Sequence, residues 1–365
     1  MTLRELPPAW RLPLLLLAMA SLLTGVFGGL ARLGVAAPEF GQLRAGSHGA
    51  LMIAAFFGTV ISLERAVALH RFWPYLAPLA AGLGGLAIVA GGPAWLPPLL
   101  FSLAGTLFVI ASIGVYRQLP ALFTLTLLLG AAAWLAGNLL WLFGGELSAA
   151  TLLWMSFLVL TIAGERLELT RFLPPRPLAQ QLFRVLLLLA VAAALLLVLA
   201  PEAGSRLLAA TFLALAVWLL RYDIARRTVR QQGLTRFVAV CLLAGYAWLA
   251  AGALLGLGGA FLPGQPGRDA ALHAIFLGFV FSMVIGHAPI IFPAVMRVRI
   301  PYHPFFYLPL TALHLTLAVR LSGSFGAGLD WQQAGAALNG VSLALFVLTI
   351  LVSVGRGAAS KETAR

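Results

Sequence analysis

Charge is what this chain has least of. Of its 365 residues only 10% are Asp, Glu, Lys or Arg, where a soluble domain has roughly a quarter. Acidic residues number 11, histidines six, and Lys361 is the sole lysine. There is one cysteine, Cys241, which excludes an intramolecular disulfide, a Cys-x-x-Cys redox pair and a thiolate cluster. No nucleotide-binding loop, nucleophile elbow or His-Glu-x-x-His run occurs. What fills the chain instead is apolar: 61% hydrophobic residues and a mean hydropathy of +0.99. A soluble core of this size has no room for so much apolar surface, whereas a bilayer takes it up in spans of about 20 residues. The apolar runs are continuous rather than alternating, which argues against a membrane β-barrel.

The predicted class is therefore all-α, a polytopic membrane protein of about twelve transmembrane helices near 12–33, 47–69, 74–92, 97–116, 120–143, 148–169, 182–200, 205–222, 235–258, 270–295, 304–322 and 333–354. Breaks between the runs carry Pro97-Pro98, Pro174-Pro175, Pro201, Pro263-Gly264 and Pro301. No loop is long enough to fold alone, so residues 1–365 read as a single transmembrane domain. The run 12–33 is long for a signal sequence and is expected to be retained. The net charge of +13 forms no basic stripe, which excludes a nucleic-acid reading. With the N-terminus inside, nineteen of the 24 Lys and Arg fall on inner segments and five, Arg32, Arg44, Arg206, Arg268 and Arg320, on outer loops. That bias predicts cytoplasmic termini and a bacterial-type inner membrane.

Two helix ends look alike. Leu63-Glu64-Arg65 is followed by His70-Arg71-Phe72, and Gly164-Glu165-Arg166 by Thr170-Arg171-Phe172. The second lies four predicted helices after the first, which suggests a four-helix unit used three times. Ordinary helix ends with basic flanks would give the same pattern. Glu64, Arg65, Glu165 and Arg166 read first as interfacial ion pairs with snorkelling arginines. The other use for them is a transport pathway.

Ionisable groups inside a membrane are costly, and each is a functional candidate. His70 and His303 fall at helix ends and read as interfacial. His48, in Gly46-Ser47-His48-Gly49-Ala50-Leu51-Met52, opens the second predicted helix, and His273, in Ala271-Leu272-His273-Ala274-Ile275, opens the tenth. Both helices run from outside to inside, so both histidines belong near the outer face. Two imidazoles at one depth are what a bis-histidine haem needs. Interfacial histidines bonded to backbone or water are the alternative. His287 lies fourteen residues beyond His273, on the same helical face and roughly 21 Å along the axis, too far for one metal centre. It sits in Gly286-His287-Ala288-Pro289-Ile290-Ile291-Phe292-Pro293, where two prolines are expected to break the helix and open a cavity. His314, mid-depth in the eleventh helix, could face His287. A second metal site, a proton relay and a hydrogen bond between helices are all compatible with that pair. Asn138 and Tyr246 read as isolated packing groups.

The run His48-Gly49-Ala50-Leu51-Met52 resembles the second-helix haem-ligand region of haem–copper oxidase subunit I. His273 stands where that family places its other haem ligands, and twelve helices with marked residues on the second, sixth and tenth resemble its three-by-four layout. The stretch from His273 to Phe279, with Met283 after it, is similar to the NnrS-type haem- and copper-associated membrane proteins. The resemblance implies haem b on His48 and His273, a role in nitric oxide or redox-stress handling or in electron transfer, and a redox partner protein or small gas ligand. It also implies a departure. The oxidases place copper-binding histidines on the sixth and seventh helices, and here 148–170 and 181–200 have none. An oxidase-type copper centre, and oxygen reduction at one, is not expected. His287 and His314 would form any second site. The rival expectation is a cofactor-free transporter or channel using Glu64, Arg65, Glu165, Arg166 and His287.

Overall fold

The computed structural model describes residues 5–171, 174 and 176–362, with the side chains of 360–362 left aside. Phe172 and Pro175, which figured in the sequence reading, lie outside these residues. The described residues contain helices and no strand. Twelve helical spans are long and apolar enough to cross a membrane. They are α1 (Pro8–Arg32), α2 (Ala50–Leu69), α3 (Trp73–Ala90), α4 (Leu96–Gln118), α5 (Leu122–Leu142), α6 (Leu147–Thr170), α7 (Pro177–Leu199), α8 (Pro201–Tyr222), α9 (Gly233–Ala260), α10 (Arg268–Met296), α11 (Pro304–Ala327) and α12 (Leu329–Ala359). The chain is an all-α, multi-pass membrane protein, and each predicted helix is present.

The starts and stops follow from backbone chemistry. Proline occupies the first turn of α4, α7, α8 and α11, where its missing N–H has no intrahelical acceptor to lose. α3 stops at Gly91, whose φ of 74° is a left-handed conformation that a side chain would strain. Within the spans, serine and threonine hydroxyls bond back to the carbonyl four residues earlier, as Ser102 does to Pro98 at 2.7 Å and Ser112 to Phe108 at 2.8 Å. A polar side chain is thereby satisfied without water.

The chain divides into two compact units, residues 1–164 and 165–365, with the division inside α6. In unit 1, α1 packs on α2 and α3, α3 on α4, and α4 on α5. Trp134 and Phe157 stack at 5.3 Å between ring centroids, and Phe108 meets Trp134 edge-on at 5.8 Å. Such pairs add about 0.5–1.5 kcal/mol each beyond the area they bury. Asn138 of α5 donates to the Phe101 carbonyl of α4 at 2.8 Å and accepts from the Trp154 indole of α6 at 2.9 Å. It is a fully buried clamp on three helices, in keeping with a packing role.

In unit 2, α7 and α8 pair, α8 packs on α9, α9 on α10, and α11 on α12. Thr316 of α11 is hydrogen-bonded to Asn339 of α12 at 2.8 Å. One face of α7, running through Leu178, Leu182, Val185 and Leu188, is exposed. An apolar stripe of that kind is satisfied by lipid tails.

α2 and α10 share a feature absent from the sequence reading. Each contains eight residues of π-helix in its first half, Ala50–Phe57 at the start of α2 and Ala274–Phe281 after one α-helical stretch, Arg268–His273, in α10, and each continues as α-helix. Each ends on a left-handed non-glycine residue, His70 at φ 50° and Arg297 at φ 54°. A serine just beyond, Ser62 or Ser282, donates its hydroxyl to the carbonyl of Gly58 or Gly278 at 2.5 Å. The expected break at Pro289 and Pro293 is not where α10 departs from regularity. α-Helix runs through both prolines from Ser282 to Met296, and the irregular stretch lies before it. Each proline removes one hydrogen bond, but with no water to take up the neighbouring groups the rest of the ladder holds.

Candidate functional site

His48 follows a short 3-10 turn, Ala45–Ser47, and stands one residue, Gly49, before the π-helical start of α2. Its Nδ1 lies 2.6 Å from the Gly25 carbonyl of α1. A carbonyl only accepts, so Nδ1 carries the proton and the neutral ring has its lone pair on Nε2. Gly29, one turn along α1, makes room for the imidazole: a Cβ there would come within 2.7 Å of a ring carbon. Gly25 gives the same clearance to Met52, whose sulfur would be 2.8 Å from a Cβ. The sequence Gly25-x-x-x-Gly29 is thus shaped to receive the two residues flanking the first turn of α2.

His273 has a more elaborate setting. Asp269, one turn earlier on α10, accepts from Arg320 of α11 through Nε at 2.8 Å and Nη2 at 2.6 Å. It also accepts from Gln332 of α12 at 3.1 Å. His273 Nδ1 stands 2.8 Å from the Asp269 carbonyl oxygen and 3.1 Å from its carboxylate. The carboxylate, held by a two-pronged guanidinium and an amide, fixes the ring and again places the neutral lone pair on Nε2. Arg320 is buried, although its place in the sequence read as an outer-loop charge. It is drawn in because Asp269 faces the interior and needs a charge partner.

Of the other two membrane histidines, His287 repeats the backbone contact of His273 and His314 does not. His287 donates Nδ1–H to the Met283 carbonyl at 2.7 Å. His314 stacks on Trp248 and its Nδ1 accepts the indole N–H at 2.9 Å, so the proton is on Nε2. That Nε2 is buried with no hydrogen-bond partner among the described residues. No hydrogen bond joins His287 to His314 among those residues, and no group of three or more metal-ligating side chains occurs there.

Arg166, near the C-terminal end of α6, is buried rather than snorkelling, and its Nε has no hydrogen-bond partner among the described residues. The guanidinium is close enough to Asp223 and to His287 to act on the charge of both. Asp223, in the connection after α8, is 4% exposed. Its carboxylate accepts the Ala225 N–H at 2.6 Å and the Tyr246 hydroxyl at 3.1 Å. Burial raises its pKa above the ordinary carboxylate value, against the opposing pull of the Ala225 N–H, the Arg166 charge and the Tyr246 hydroxyl. Tyr246 is therefore part of a polar contact. Glu64 and Glu165 are half-buried and engaged, and Arg65 is half-buried.

Sequence reasoning found His48 and His273 but missed Asp269, Arg320 and Asp223. Asp269 had a signal: an acid four residues before a histidine on a helix shares its face. Arg320 and Gln332 had none, because their meeting depends on how α10, α11 and α12 pack. A family model described as a domain of unknown function, DUF8744, matches residues 11–355. No curated protein and no solved structure matches the chain.

Proposed function

The chain belongs to the DUF8744 family, and we propose that it is a haem-binding integral membrane protein in which His48 and His273 would hold the group. One observation carries the reading. Taken each in its own unit, the two histidines give Nδ1–H to a carbonyl, as His287 also does, and leave Nε2 as the basic nitrogen; what they alone share is an eight-residue π-helical stretch that starts one or two residues on. Metal-bound histidines characteristically donate their other ring N–H in this way, and π-helical turns concentrate at functional sites. Two protein donors suffice for a haem, so the donor set fits a b-type group without a third ligating side chain. Bound haem would supply one-electron chemistry. The protein side would contribute ring orientation, and at His273 a carboxylate that raises the basicity of Nε2. Nitric oxide or redox-stress handling and electron transfer to a partner protein are the roles in keeping with such a group. The reading places the histidines near the outer face of a bacterial-type inner membrane.

The test is the reduced-minus-oxidised optical spectrum of detergent-purified protein, with haem stoichiometry by pyridine haemochrome. A sharp low-spin band at about one haem per chain, lost in both His48→Ala and His273→Ala, is the expected result. A folded, colourless protein from haem-replete cells would overturn it.

A second reading, a cofactor-free transporter or channel using Glu64, Arg65, Glu165, Arg166 and His287, has support in unit 2: the buried Arg166 guanidinium near Asp223 and His287. Proton-coupled flux in vesicles, abolished in His287→Ala, would favour it.

A further inference from the structure

Where α7 begins and α8 ends, unit 2 has a cavity of about 330 Å³ lined by five arginines: Arg176, Arg221, Arg226, Arg227 and Arg230. We infer that this cavity binds the phosphate of an anionic phospholipid, with the acyl chains lying along the exposed face of α7. The inference stands apart from the haem reading, since it uses none of the same residues.

Charge is the first ground. Among the described residues, none of the five guanidiniums has a carboxylate within ion-pair distance. The one acid in the lining, Asp223, is occupied inwardly by the Ala225 N–H and the Tyr246 hydroxyl. Five like charges around one small volume repel each other, and an anion with several oxygens relieves that repulsion. Arginine suits the task because its planar fork takes two phosphate oxygens at once.

Rigidity is the second. The turn Ala225–Thr228 carries Arg226 and Arg227, and Arg230, one residue past its cap Val229, is tied back by its N–H to the Arg227 carbonyl at 3.2 Å. Asp223 caps the start of that turn and is tied through Tyr246 to α9. Arg221 lies over the Tyr222 ring at 5.4 Å, and Arg226 Nη1 reaches the Arg221 carbonyl at 3.4 Å. A generic basic loop facing water has no comparable framework.

Position is the third and selects lipid over a soluble phosphate. Arg176 directly precedes α7, whose exposed stripe of Leu178, Leu182, Val185 and Leu188 starts within the next turn. A molecule with phosphate at one end and hydrocarbon at the other matches that sequence of surfaces. Basic pockets at the cytoplasmic ends of membrane helices hold such headgroups.

Native mass spectrometry of the full-length chain in detergent tests this, with titration of cardiolipin, phosphatidylglycerol, phosphatidylcholine and inorganic pyrophosphate. Cardiolipin and phosphatidylglycerol should be retained and phosphatidylcholine should not. The triple variant Arg226→Gln/Arg227→Gln/Arg230→Gln should weaken anionic-lipid binding about a hundredfold, at roughly one surface-arginine contribution each. The charge-matched control Arg71→Gln/Arg117→Gln/Arg356→Gln, at three exposed arginines outside the cavity, should leave it unchanged. Equal loss in the control would overturn the site, because it would make the effect one of bulk charge. Unchanged binding in the triple variant would overturn it too. Pyrophosphate that binds in the absence of lipid and displaces it would replace the lipid by a soluble polyphosphate.

Discussion

Arg320→Met tests whether the Asp269 cluster is a coupled unit. The substitution keeps an apolar stem of similar length and removes both donors from the carboxylate. The Arg320 side chain is 8% exposed and that of Asp269 25%. Stripping one partner from a buried pair costs about 3–5 kcal/mol, because the survivor is left desolvated and unpaired. Asp269 keeps a quarter of its surface open and retains Gln332 and His273, so the lower side applies, about 2–3 kcal/mol. Asp269→Asn alone strands the guanidinium at a similar cost. The double variant Asp269→Asn/Arg320→Met strands neither, so the two single losses should not add. The shortfall should be about 1.5 kcal/mol or more, well outside the few tenths expected of independent sites. Reversible unfolding in mixed SDS micelles, followed by the fluorescence of the nine tryptophans, gives all four stabilities. Additivity within about 0.5 kcal/mol would refute the pairing.

Other outcomes follow from the same contacts. Asn138→Ala should cost about 1–3 kcal/mol in the same unfolding assay, since it orphans the buried Trp154 indole and takes a second donor from the Phe101 carbonyl. Gly29→Val should push the His48 ring off the Gly25 carbonyl and, if haem is bound, shift or broaden its low-spin band, while Gly114→Val, in open space, should not. Asp223 has a raised folded pKa, so the folded state holds that proton more tightly than the unfolded chain does. Its contribution is full below the ordinary carboxylate value of about 3.9 and is lost as pH rises through the raised value. Asp223→Asn, which keeps an acceptor for Ala225, should therefore flatten the fall in stability between those two pH values; a slope unchanged from wild type would refute the assignment.

The spans were legible because each is a long apolar run closed by proline, glycine or arginine, and the bilayer leaves little else for such a run to become. Leu147–Thr170 is a case: 148–169 was readable to within two residues. His48 and His273 were legible as rare imidazoles at helix starts. The π-helical stretches after them were not, because hydrophobic periodicity in an all-apolar segment cannot separate i→i+4 from i→i+5 bonding. Helix α10 shows a misleading signal: two prolines draw attention to Pro289 and Pro293, whereas the backbone departs from α-geometry at Ala274–Phe281, where the sequence is plain. Arg320 was misplaced for a different reason. Counting basic residues by loop assigns every arginine near a span end to a surface, and only packing reveals a carboxylate waiting inside.

The π-helical stretches of α2 and α10 also bear on how this chain tolerates changes in length. Losing one residue from an ordinary membrane helix turns everything beyond it by about 100° and draws it in by about 1.5 Å, so lipid-facing and buried side chains trade places. A π stretch already holds a residue more than the α-helix requires. One residue lost from Ala50–Phe57 or Ala274–Phe281 relaxes the backbone to α-geometry and leaves the faces downstream where they were. These two segments are where the chain can change length inside the bilayer without scrambling its interior.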